Sequence, residues 1–140
     1  MALATIESSV RAMMTSNATL IAAVPAARIS HGYRLQDGVL PAITFELQSV
    51  EMLSFIGDVN EINVRVHRAS AEITVIAATT NSALLIGSTL NTACAPGTFG
   101  GIVFDAVLWN GYQVTQSVAG EGDEQQPAEL VASVEIYYRT

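Results

Sequence analysis

The side chains able to do chemistry are few and scattered. His31 and His67 stand alone, with no His-Glu-x-x-His, Cys-x-x-Cys or related spacing around them that would assemble a zinc site. Ser8, Ser9, Ser82 and Ser133 lack the Gly-x-Ser-x-Gly elbow that presents a nucleophile, and no phosphate loop occurs. Gly97-Thr98-Phe99-Gly100-Gly101 is rich in glycine but has no Lys to reach a phosphate, so it reads as a connector. Glu121, Asp123 and Glu124 share a glycine-containing loop without the calcium-loop pattern and read as solvated carboxylates. Cys94 is the only cysteine and has no partner within the chain. At the end of a helical stretch in apolar company it reads as a buried small hydrophobe. The expectation is no catalytic residues, no metal and no cofactor.

The composition says where contacts must be made instead. Of the 140 residues, 50% are hydrophobic and only 14% charged, against roughly 25% charged in an average soluble domain. The size is that of one domain with a real core, residues 1–140. A surface this poor in charge is made of Ser, Thr, Asn and Gln, or is partly covered in an assembly. The net charge is −7, from 13 acids against 6 basic residues, and every basic residue is Arg. Tight wrapping of nucleic acid is disfavoured, since phosphate affinity comes from clustered Lys and Arg and only Arg65 with Arg68 approaches a patch. No signal-peptide pattern opens the chain and no apolar run is long enough for a membrane span, so neither secretion nor membrane insertion is expected.

The elements follow from periodicity. Leu3, Ile6, Val10, Met13 and Met14 recur at helical spacing, with Glu7 and Arg11 on the other side. Asn17 caps a second short helix that Pro25 ends, and Arg28 to Tyr33 reads as a short strand. Thr79 or Thr80 caps a further helix with Ala83, Leu84, Gly87, Leu90 and Cys94 on one face; Leu85 and Ile86 lie off it and either widen the stripe or meet a neighbour. Ile102 to Trp109, Asn110-Gly111 and Tyr112 to Val118 read as a local hairpin, and Leu130 to Tyr138 as a closing strand.

Between these lies one long hairpin, with arms over 42–56 and 61–78 and a turn at Gly57-Asp58-Val59-Asn60. At roughly 3.3 Å per residue such an arm is about 50 Å long, so it must protrude or bend. Its apolar stripe changes parity. Near the root it is odd-numbered (Ile43, Phe45, Leu47, Ile73, Val75, Ala77), and near the tip even-numbered (Val50, Met52, Ile56, Ile62, Val64, Val66). Period-two alternation forbids both from facing one core unless a bulge intervenes. A register of Phe45 with Ile73, Ile43 with Val75, Met52 with Val66 and Ile56 with Ile62 sets apolar residues opposite one another. The six tip residues are the candidate oligomer interface. Asp58, Glu61, Glu121, Asp123 and Glu124 are the candidate exposed or channel-lining acids.

The order of elements resembles the phage tail-completion proteins, the tail-terminator or neck family of long-tailed phages. The resemblance is carried by the N-terminal amphipathic helix, Arg28-Ile29, Leu40-Pro41-Ala42-Ile43-Thr44-Phe45, Arg68 to Thr79 running into Asn81-Ser82-Ala83-Leu84-Leu85-Ile86 and Leu90, and Ser133-Val134-Glu135-Ile136-Tyr137-Tyr138. It implies an α+β fold, with a mostly antiparallel sheet, a long protruding hairpin and two main helices. It further implies a non-enzymatic virion protein of the tail or neck, assembled in the host cytoplasm, forming a ring, usually a hexamer. The implied partners are further copies of itself, the tail tube protein and the head-tail connector, with DNA passing unbound. A neck adaptor, a tube subunit and a small ligand-binding domain are the alternatives. Met52→Asp or Val64→Asp is expected to weaken assembly while the monomer keeps its fold, checked by light scattering beside circular dichroism.

Overall fold

A computed structural model describes residues 3–32, 39–57, 63–115 and 127–140. Helix α1 (Leu3–Thr15) buries Ile6, Val10, Met13 and Met14. From its other side, Arg11 donates from Nε to the Ile29 carbonyl at 3.0 Å and from Nη2 to the Ala26 carbonyl at 2.9 Å, tying α1 to the segment ahead of the first strand. Helix α2 (Ala18–Ala23) is capped by the Asn17 side chain, which accepts from the Leu20 amide at 2.9 Å. A 3-10 turn (Ala26–Arg28) leads into β1 (Ile29–His31).

Strands β2 (Ala42–Gly57) and β3 (Asn63–Ala77) form an antiparallel pair over the segments expected to be hairpin arms, and the residues between them lie outside the described ones. Helix α3 (Thr80–Ala93) follows, with the Thr79 hydroxyl accepting from the Ser82 amide at 3.1 Å. Its buried stripe is Ala83, Ile86, Gly87, Leu90 and Ala93. Ile86 therefore joins the core, and Leu84, expected inside, is exposed together with Leu85. Strands β4 (Gly97–Phe99), β5 (Ile102–Thr115) and β6 (Ala128–Arg139) complete a six-stranded sheet of order β1-β2-β3-β6-β5-β4. Only the β1–β2 pair is parallel.

The central strands alternate without interruption. Ala69, Ala71, Ile73, Val75 and Ala77 of β3, and Ala128, Leu130, Ala132, Val134, Ile136 and Tyr138 of β6, are all buried. Helix α3 lies across β3, β6 and β5, and α1 touches both β1 and β4. Those two strands are the opposite ends of the sheet order, so the sheet curls until both edges reach one helix. At the β4 end the approach is close, because a Cβ on Gly100 would sit 3.1 Å from Ser9 Oγ.

Three further expectations are corrected. Asn110-Gly111 makes no hairpin: β5 runs straight through it and pairs with β6 from Val103 to Thr115, with a bulge between Trp109 and Gly111. Gly111 still adopts a positive φ, 128°, but uses it to bend a strand. Conversely, the segment read as a connector forms β4 and a two-residue turn, Gly100-Gly101, with φ 59° and 85°, the pair of positive values a tight hairpin needs. In the long hairpin, Phe45 pairs with Ile73 and Ile43 with Val75 as expected, but Met52 pairs with His67 and Ile56 with Val64. Bulges at Gln48 and Leu53 slip the register by a step each. Strand β6 flanks β3 as far as Val66, and Arg65 and Thr140 exchange backbone bonds at 3.4 and 3.1 Å, so β3 lies between two strands for nearly all its described length.

Truncating the centre of this layer has a direct readout. Ile136→Ala, at a fully buried position, is expected to cost about 2–5 kcal/mol in urea unfolding. Leu85→Ala, at a site 64% exposed, is expected to stay within about 0.5 kcal/mol of the parent.

Candidate functional site

The two bulges of β2 decide where the candidate interface residues stand. Gln48 resets the alternation so that Val50, paired with Ala69, lies on the helix-bearing side in line with Phe45 and Leu47. Val50 is half-buried against the core. Met52 stands beyond it on the same side and is 57% exposed. Leu53 resets the alternation again, and Val66, paired with Ser54, is half-buried on the opposite side. The stripe read as one surface is thus divided between two faces. Ile56 pairs with Val64 where the arms near their end. Asp58, Glu61, Ile62, Glu121, Asp123 and Glu124 lie outside the described residues.

Across the helix-bearing side a line of rings runs from β3 to β4. His67 stacks on Tyr138 with centroids 4.9 Å apart, Tyr138 meets Phe104 at 6.3 Å, and Phe104 meets Phe99 edge-on at 5.2 Å. Gly97 makes room for the last ring, since a Cβ there would lie 2.8 Å from Phe99 Cζ. His67 Nε2 also lies 3.1 Å from Thr140 Oγ1. Desolvation, and then the Arg65 charge, lower the His67 pKa below 6.5; burial raises that of Tyr138. A neutral imidazole against a buried ring makes a packing contact.

The opposite side is polar. Arg68 pairs with Glu51, and Arg139 grips Asp105 with Nε at 3.0 and 2.8 Å from the two carboxylate oxygens. Glu46 and Glu72 stand directly opposite each other, both exposed. His31 lies 3.3 Å from Glu7 and packs on Phe45. Cys94 is buried, and desolvation raises its thiol to about 12, which makes it inert. Among the described residues no group of three His, Cys, Asp or Glu side chains is placed to hold a metal. The cavity of about 200 Å³ between α3 and β5 is lined by Leu84, Gly87, Ser88, Asn91, Trp109, Tyr112 and Leu130, with no titratable group other than a phenol.

What the sequence reading missed is exposed apolar surface on the far edge of the sheet. Leu108 and Tyr112 on β5 are exposed, as are Leu84 on α3 and Leu53 beside Met52 on β2. The signal was present as an uncharged run from Ala106 to Thr115, but the hairpin assignment at Asn110-Gly111 folded that run back on itself.

These features define an α+β protein whose conspicuous described surfaces are apolar edges and a polar sheet face. No protein-family model matches the chain, and no curated protein matches it. Among solved structures, it is similar to a chain of the "Virion of native gene transfer agent (GTA) particle", with a TM-score of 0.58 at 12% identity, covering 98% of this chain and 96% of that one. At that identity the likeness is one of fold.

The lowered His67 pKa fixes the sign of a pH effect. The unfolded chain binds the proton more readily, so stability rises with pH through the window below about 6.5 and is lost on acidification. His67→Gln is expected to flatten this slope between pH 7 and 5, read as the difference in urea midpoints between the two proteins.

Proposed function

We propose that this chain is a structural subunit of a phage-like virion that closes into a ring, a hexamer, capping the tail tube and joining it to the head connector. The observation that carries the reading is the fold likeness to a chain of a gene transfer agent virion over nearly the full length of both chains. The resemblance of the order of elements to that of tail-completion proteins is the ground for the tail or neck placement within it. Two properties of the residues agree. The surface is poor in charge and carries exposed Met52 and Leu53 on β2 and Leu108 and Tyr112 on β5, apolar groups at strand edges that a neighbouring subunit would cover. The net charge of −7 without a single Lys suits a wall past which DNA slides without being held. On this reading the protein is not an enzyme and needs no cofactor. The β2–β3 arm serves assembly, through Val50 and Met52 on one face and Val66 on the other.

The test is the assembly state, alone and with partners. Light scattering and electron microscopy of the purified protein, with and without isolated tail tubes, are expected to give a closed ring that seats on the tube end. A monomer at micromolar concentration that forms no ring on adding tubes overturns the reading. Open-ended filaments would assign the chain to the tube itself.

A further inference from the structure

The sheet ends in two long edges that no described strand covers. Strand β1 pairs with β2 only at Ile43 to Phe45, and β4 pairs with β5 only at Ile102 to Phe104. Among the described residues, the outer side of β2 from Glu46 to Gly57, and that of β5 from Asp105 to Thr115, have no strand partner. Proteins that stay monomeric blunt such edges with charge, Lys above all, or keep them short. Here β5 carries no charge from Ala106 to Thr115, β2 has only Glu51 from Leu47 to Gly57, and Glu51 is neutralised by Arg68.

The two edges also match in position. Following the pairings across the sheet, Glu51 is level with Arg68, Tyr137 and Ala106; Val50 with Ala69, Ile136 and Val107; Ser49 with Ser70, Glu135 and Leu108; Leu47 with Ala71, Val134 and Trp109. Each edge is interrupted twice at the same interval, by bulges at Gln48 and Leu53 on β2 and at Asp105 and Asn110 on β5. The regular windows between them, 49–52 and 106–109, therefore sit at nearly one height. Three antiparallel steps separate the strands, so β5 runs antiparallel to β2. A copy related by rotation about an axis along the strands keeps both height and direction. It presents its β5 window antiparallel to the β2 window of its neighbour.

We infer that the β2 edge of one copy, 47–51, adds to the β5 edge of the next, 106–109, so that the sheet continues from subunit to subunit. The inference rests on the ring reading and gives it a contact. On the helix-bearing side Val50 meets Val107 and Leu47 meets Trp109, apolar against apolar. On the other side Ser49 meets Leu108 and Glu51 meets Ala106, with no like charges opposed. Because the two surfaces differ and lie at opposite ends of the sheet, each copy binds one neighbour with each. Such a head-to-tail contact closes a ring instead of stopping at a dimer.

The test is disulfide trapping in the full chain. With the buried Cys94 changed to Ser, Ser49→Cys and Leu108→Cys are made singly and together. Opposed residues of an antiparallel pair are about 4.5–5.5 Å apart at Cα, within reach of a disulfide. On mild oxidation the double variant is expected to give a ladder of covalent multimers ending at the ring size, and each single variant to stay uncross-linked. A ring visible by microscopy in which the double variant does not cross-link overturns this contact and leaves the ring reading standing. A cross-linked dimer from either single variant overturns it in favour of a two-fold edge contact. Absence of both ring and cross-link overturns both readings. Leu108→Lys is a second probe, expected to abolish assembly with the thermal midpoint of the subunit unchanged; retained assembly counts against the edge contact.

Discussion

The packing of helices onto the β3–β6 pair is the constraint from which the rest of the structure follows. These two strands alternate without a bulge, and much of what they bury is small: Ala69, Ala71, Ala77, Ala128 and Ala132. Small residues let a helix approach closely, and α3 does so, since a Cβ on Gly87 would lie 2.5 Å from Leu130 Cδ1. With β3 and β6 free of bulges between them, the outer strands accommodate the curl that brings β1 and β4 to the same helix. They do this with bulges at Gln48, Leu53, Asp105 and Asn110, each of which adds bend and twist.

The same bulges determine what the surface offers. A straight β2 would turn Val50 and Met52 away from the helices and make one continuous outer stripe with Val66. The bulge at Gln48 returns them to the helix-bearing side, where Val50 helps close the core and Met52 stands at its rim. The polar side is left to Glu46, Glu51, Arg68, Glu72, Asp105 and Arg139. Exposed Met52, Leu53, Leu108 and Tyr112 stand on the two edge-bearing strands, and Leu84 and Leu85 on α3.

The local rules read from the sequence succeeded wherever one physical cause dominated. The helical spacing of Ile6, Val10 and Met13 and the Asn17 and Thr79 caps follow from neighbouring residues alone, and the pairing of Ile43 with Val75 and Phe45 with Ile73 follows from matching the apolar stripes of two strands. They failed where two structures share one local signal. A glycine able to take a positive φ serves a turn or a bulge equally well, so Asn110-Gly111 and Gly100-Gly101 exchanged roles: the first bends a strand held by β6 along its whole length, and the second closes the tight hairpin. Likewise Leu84 and Ile86 differ little in hydrophobicity, and only the position of β6 beneath α3 selects Ile86 for the core.

The sequence by itself determined the helices, the two long antiparallel arms and the closing strand, and the parity change along those arms, because period-two alternation is a property of the chain. It also determined the scarcity of charge and of chemically competent side chains. Tertiary structure alone decided how the parity conflict is resolved, because a bulge costs one unpaired residue and is chosen by the partner strand across the sheet. For the same reason, only the pairings through β3 and β6 bring the uncharged windows of β2 and β5 to one height. They are remote in sequence and are separated in the sheet by β3 and β6.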